Sequence, residues 1–198
     1  MAVTGEKIEV TGKASETLRS GPSRVAPDDG RHELDLAVGA LVVYGSHGLG
    51  RVTGRKARHG GASDGPTVVV EFASGLSVIL PLERAESCLR APAGAHELEA
   101  ARAALRARPG QTEQAWRDRT QTTRTKIALG GLVELAEVVR DAVERQRLRA
   151  SGSMASPAEQ ELYRKARRLL AAEVAVAGAL DESEAGTWIE DQLDRTAG

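Results

Sequence analysis

The 198-residue chain predicts an α+β protein, with a small, strongly bent β module in front and an all-α module of about five helices behind it. Two changes of pattern and one absence lead there. From about residue 34 to 90 the apolar residues come in short β-branched runs broken by glycine: "LVVY", "GRVTG", "TVVVEF" and "SVILP". From about Ala95 the apolar residues recur at helical spacing instead. No internal repeat links the two blocks. The reading therefore divides the chain into a mobile tail over 1–33, a β domain over 34–92 and a helical domain over 94–198.

The first 33 residues mix Gly, Ser, Thr, Pro and both charges without a sustained period, which is why they read as a tail. Strands as short and closely spaced as those that follow favour a small twisted barrel over an open flat sheet. "ARHGGASDGP" separates the second and third strands as a hairpin loop, and Ser74-Gly75 supplies the tighter turn before the fourth. In the second half, "HELEAARAALRA" is a first helix ended by Pro109-Gly110. Thr112 can cap a second, which runs through Trp116 and Lys126 towards Gly130-Gly131. The third, "LVELAEVVRDAVER", carries the clearest stripe: Leu132, Leu135, Ala136, Val139, Ala142 and Val143. Ser156-Pro157-Ala158-Glu159 is a capping box with proline at the first helical position, and it opens a fourth helix. Asp181 with Glu184 starts a last, acidic one.

Composition narrows the function. Formal net charge is −1, from 27 Lys+Arg against 28 Asp+Glu, so the chain as a whole is no polyelectrolyte partner for nucleic acid. The charge is uneven, however: residues 94–150 hold 11 basic and 8 acidic side chains, and residues 151–198 hold 5 and 9. The single cysteine, Cys88, excludes an intrachain disulfide or a cysteine-based zinc site and suits a reducing compartment. No apolar run approaches the ~20 residues of a membrane span, and no signal-peptide core is present. The expectation is a cytoplasmic protein without membrane association.

The stretch "VVYGSHGLGRV", Val42 to Val52, poses the first functional question. A glycine-rich turn after a strand cradles phosphate when a helix follows, since the backbone N–H groups must converge at a helix N-terminus. Here "RVTGRKARHGG" follows, with no apolar stripe, so the glycines read as turn geometry. Gly61-Ala62-Ser63-Asp64-Gly65 matches the spacing of a nucleophile elbow, but Pro66 and a strand follow where a helix is required. The four histidines (32, 47, 59 and 96) make no i, i+4 pair for a metal, and His47 reads as a turn-supporting side chain that hydrogen-bonds locally. Neither an enzyme nor a cofactor is expected.

Trp116 stands out from this background. Its helical neighbours Thr112, Glu113, Arg119 and Thr120 give the indole no apolar stripe, while Arg117, Arg119, Arg124 and Lys126 surround it against one acid, Asp118. An apolar ring among cations suits a minor-groove wedge, with phosphates taking the cations and the ring inserting at a base step. The alternative is that Trp116 packs against another helix or the β module. Trp188, beside Ile189 and Leu193, reads as core.

These residues also carry a family likeness. "GALVVYGSHGLGRVTG" and "VVVEFASGLSVILPLE" resemble the RNA polymerase-interacting domain shared by CarD/CdnL-type bacterial transcription regulators and the transcription-repair coupling factor. "AWRDRTQTTRTKIALGGLVELAEVVRDAVERQ" and "SPAEQELYRKARRLLAAEVAVA" resemble the helical C-terminal domain of the CarD family. The resemblance covers about residues 35–196. It departs from the family pattern at Ala40, Gly45, Ile79, Cys88 and Gln121, which marks a diverged member.

The resemblance implies a Tudor-like β module that docks on the β-subunit lobe of RNA polymerase. Arg58 in the hairpin and the strands around Val70, Phe72, Val78 and Ile79 correspond to the docking surface. It also implies a helical domain that meets promoter DNA, without sequence specificity, in the minor groove at the upstream edge of the melted region. Trp116 stands where the family places its wedge, with Arg117, Arg119, Arg124 and Lys126 as the phosphate-facing cations. The implied protein is a monomeric regulator that steadies the open promoter complex; the alternative is a polymerase-binding adaptor or repressor without a wedge.

Overall fold

The computed structural model describes residues 34–56, 65–108, 116–149 and 155–195, except for the side chains of Trp116 and Arg117. The tail over 1–33 and the second-to-third-strand hairpin, with Arg58 and Ser63, lie outside these residues, as does Thr112. Four strands form an antiparallel meander: β1 Leu41–Tyr44, β2 Gly48–Lys56, β3 Thr67–Phe72 and β4 Ser77–Pro81, in the order β1-β2-β3-β4. A single 3-10 turn, Gly45–His47, joins β1 to β2 at the glycine-rich stretch. Phosphate-type geometry is absent there, because a strand and not a helix follows.

Alternation sets the inner face of the sheet. Val52, Val70 and Val78 face one another across three strands, as do Val68 and Leu80 across two. With Val42, Phe72, Ala85 and Leu89 they make the β core. The register shifts between Val52 and Gly54, a bulge that turns the end of β2 without moving the valine row. Ring packing completes the core at the turn: Tyr44 and His47 lie 5.2 Å apart and Phe72 sits 5.7 Å from His47. His47 therefore supports the turn by ring contact, where the sequence reading expected a hydrogen bond. Gly50 leaves room for Phe72, since a Cβ there would lie 2.8 Å from the ring. A short helix, α1 Leu82–Cys88, buries Ala85 against this sheet. The sequence pattern assigns no element between β4 and about Ala95, so this helix was not expected.

The helical half follows the expected count: α2 Ala95–Arg106, α3 Trp116–Leu129, α4 Leu132–Leu148, α5 Pro157–Ala177 and α6 Glu182–Asp194. Leu105, Leu135, Val139, Leu170, Val174 and Ile189 form the centre of its own apolar cluster. Ser156 caps α5 by accepting from the Glu159 N–H, as the capping box predicts, and Asp181 does the same for α6 through Glu184. Trp188 packs on the helical core, with the Arg102 guanidinium 5.4 Å over its ring.

The two cores meet through a small set of directional contacts. The segment after α1 bonds back to β1, where Val43 and Arg90 exchange backbone hydrogen bonds of 2.8 and 3.0 Å. The Arg90 side chain then crosses to the helices. Its guanidinium donates to both carboxylate oxygens of Glu173 on α5, at 2.5 and 2.8 Å, and to the Gly130 carbonyl at 2.5 Å. The Ala93 N–H adds a third bond to the same carboxylate at 2.9 Å. Beside this pair the 3-10 turn abuts the α3–α4 junction. Gly45 (φ +34°) and Gly130 (φ +66°) touch backbone to backbone, and Gly48 faces the Leu169 side chain on α5. No helix among the described residues is long and apolar enough to cross a membrane.

Candidate functional site

The described part of α3 buries one side chain, Ile127, and apart from Trp116, Ala128 and the exposed Leu129 the helix is otherwise Thr, Gln, Arg and Lys with Asp118. Such a helix gains little from an apolar face of its own, so its position depends on directional contacts with its neighbours. Gly130 ends it in a left-handed conformation, and the Arg90 cation sits on the Gly130 carbonyl, where the helix dipole favours positive charge. Trp116 is the first residue of the helix. It stands at the end opposite the contact with the β module.

The expected cations separate into different environments. Arg124 is exposed. Lys126 is bound to Glu137 on α4 at 2.8 Å, so part of its charge serves an interhelical bridge. Arg119, partly buried, lines a notch between α3, α4 and α5 together with Thr120, Thr123, Arg145, Glu159 and Tyr163. The side chains of Trp116 and Arg117 lie outside the described residues.

Arg145 is a cation that sequence reading did not single out. Burial lowers its pKa from the ordinary value, Asp141 and Glu159 oppose that shift, and neighbouring Arg119 and Arg149 add to it. Glu159 carries the complementary charge. Burial alone would raise its pKa, but the Ser156 backbone N–H and Arg149 outweigh that and hold the carboxyl below its ordinary value. Arg149 contacts it at 3.0 Å. The alternating "RQRLR" at the end of α4 was the available signal for this cluster.

On the sheet, the expected contact residues lie on opposite faces. Val70 and Phe72 are 0% and 3% exposed, so their side chains build the β core and are not available to a partner. The period of two along a strand imposes this once Val68 faces inward. Val78 is partly buried on the same face. Ile79 is 56% exposed and pairs in register with Val69, whose other neighbour is Gly54. Arg51 pairs with Glu71, and Lys56 with Thr67, on either side of that apolar pair. The outward surface is thus Val69 and Ile79 framed by charge, on a sheet whose last strand, β4, pairs among the described residues only with β3. Arg58 lies outside the described residues.

No cluster of His, Cys, Asp or Glu among the described residues could hold a metal. The geometry offers two separated surfaces and no catalytic constellation within the described residues. Two family models match the chain: residues 36–92 match the CarD-like/TRCF RID domain, and residues 100–190 match the CarD C-terminal domain. In that order they cover both modules, with Arg90 near the end of the first match.

Proposed function

The chain belongs to the CarD-like family of transcription regulators that interact with RNA polymerase, and from that premise we propose that it docks on the polymerase β-subunit lobe and steadies the open promoter complex. Docking uses the outward face of the Tudor-like β module around Val69 and Ile79, with Arg58 from the neighbouring hairpin. The N-terminal end of α3 meets the minor groove at the upstream edge of the bubble. There Trp116 acts as a wedge between base steps, and Arg117, Arg119 and Arg124 contact phosphates. Lys126 contributes to the same field while bridged to Glu137. The protein works as a monomer, without cofactor or catalysis, in the cytoplasm and on the nucleoid through polymerase.

The observation that carries this reading is the construction of α3. It is a polar helix anchored at its C-terminal end against the β module, with a tryptophan and three arginines in its first nine residues. Affinity for free duplex is expected to be weak, because few cations on a near-neutral chain release few counterions. Polymerase therefore supplies the local concentration, and the wedge supplies the effect. In a promoter assay, Trp116→Ala should shorten open-complex lifetime while binding to the isolated β lobe stays unchanged. An unchanged lifetime would sink the wedge.

The ion pairs of Lys126 with Glu137 and of Arg149 with Glu159 favour a second reading, an adaptor or repressor that binds polymerase without wedging. Iodide quenching in a Trp188→Phe background separates the two: a fully protected Trp116 in the free protein supports the adaptor.

A further inference from the structure

We propose that Arg90 and Glu173 are positioning residues that lock the β module and the helical module into one rigid body, so that docking of the first fixes where α3 meets DNA. The inference rests on the reading above, in which the two modules hold different partners.

Glu173 sits about one turn before the C-terminal end of α5 and is 2% exposed, on the helix face that carries Ala166, Leu169, Leu170 and Val174. A carboxylate in that position is costly unless a counter-charge and hydrogen-bond donors meet it. Its charged partner comes from outside the helical cluster. Arg90 belongs to the segment that pairs with β1, and the two residues are 83 positions apart in the chain. Arg90 thereby joins three elements: β1 through its backbone, and α5 and the end of α3 through its guanidinium, which holds Glu173 and the Gly130 carbonyl. A bidentate pair fixes direction as well as distance, which an apolar contact does not. The close contact of Gly45 with Gly130 supplies the fulcrum beside it.

Magnitude shows why the angle matters. A 14-residue helix is about 20 Å long at about 1.5 Å per residue, so a tilt of about 10° at its base moves the tip by about 3.5 Å. That is about one base step of DNA, at about 3.4 Å per nucleotide. A wedge displaced by one step would meet a different junction or none. Lys126–Glu137 and buried Ile127 bind α3 to the rest of the helical module, so the error to be suppressed is the angle between modules.

The test uses the full chain with Arg90→Ala and, as a milder variant that preserves shape, Glu173→Gln. Residual dipolar couplings and ¹⁵N relaxation report whether both modules share one alignment and one tumbling time. The wild type should show one of each, and the variants should show two while far-UV circular dichroism stays unchanged. Open-complex lifetime should then fall several-fold, towards that of Trp116→Ala, with affinity for the isolated β lobe within twofold of wild type. If Arg90→Ala fails to fold, Glu173→Gln carries the same comparison. Modules that stay coupled in the folded variants overturn the lock. Modules that separate without loss of lifetime overturn the positioning role. A wild-type lifetime insensitive to Trp116→Ala refutes the wedge reading instead, and the tumbling data still decide the lock.

Discussion

The carbonyl oxygen of Gly45 lies 2.5 Å from where a Cβ on Gly130 would stand, and a Cβ on Gly45 would lie 2.7 Å from the Ala128 carbonyl oxygen. Both residues are left-handed, at φ +34° and +66°. Two glycines from different modules are thus needed at one contact, for conformation and for space. Gly130→Ala should cost about 1–2 kcal/mol from the backbone alone, and more from displacement of the turn. Urea denaturation of the full chain measures it. Gly65→Ala, where a Cβ meets nothing within 4 Å, serves as the control and should change stability by less than about 0.5 kcal/mol.

Phe72 and Ile79 should respond in opposite ways. Phe72→Ala empties the β core beneath the turn and is expected to cost about 3–5 kcal/mol, lowering polymerase binding only through unfolding. Ile79→Glu changes an exposed side chain, so stability should move by less than about 0.5 kcal/mol, yet binding to the β lobe should weaken. Thermal melts alongside a lobe pull-down distinguish the two. Equal binding of Ile79→Glu and wild type would remove this face from the docking surface.

Arg124 is exposed on the helix that begins with Trp116. Its replacement by alanine should reduce the slope of log affinity against log salt for the promoter complex by about 1, while leaving the site of the bubble edge unchanged. A titration at several salt concentrations reads the slope directly. No change in slope would place Arg124 away from phosphate.

Glu159 links stability to pH. Its folded-state pKa is depressed below the ordinary 4.5, so its contribution is complete above that value and is lost as pH falls through the folded pKa. Glu159→Gln should therefore cost about 1 kcal/mol at neutral pH, the size of a helix-capping interaction, and the difference from wild type should close as the solution is acidified below 4.5. Denaturation midpoints measured from neutral pH down to about 3 check the sign. A gap that widened on acidification would contradict it.

The helical half was legible because its signals are local. The stripe of α4 and the capping boxes at Ser156 and Asp181 each sit within a few turns of what they specify. The inward side of β3 was harder, because "TVVVEF" places three valines in succession and hides the period of two. The family resemblance put Val70 and Phe72 on the docking surface, and the pairing with Val52 and the packing under the turn assign them inward instead. Helix α1 was missed because seven residues with one buried alanine leave no stripe to read. The meaning of Gly45 was half visible: a turn could be read, but its second constraint lies in Ala128 and Gly130. The Arg90–Glu173 pair was illegible for the same reason, since nothing local marks either residue as the partner of the other.

The polarity of α3 has a consequence for its lifetime as a helix. A buried isoleucine and a charge bridge attach it to the α4 side near its C-terminal end, and Arg119 and Thr120 line a notch against α4 and α5 nearer its start. Amide exchange along it should be slow around Ile127, where opening must break the apolar contact and the bridge together. In the reading proposed above, the opposite end is the one that meets DNA. Contact with the groove would then add protection to the first turns of the helix, a gain that amide exchange with and without the promoter complex would read.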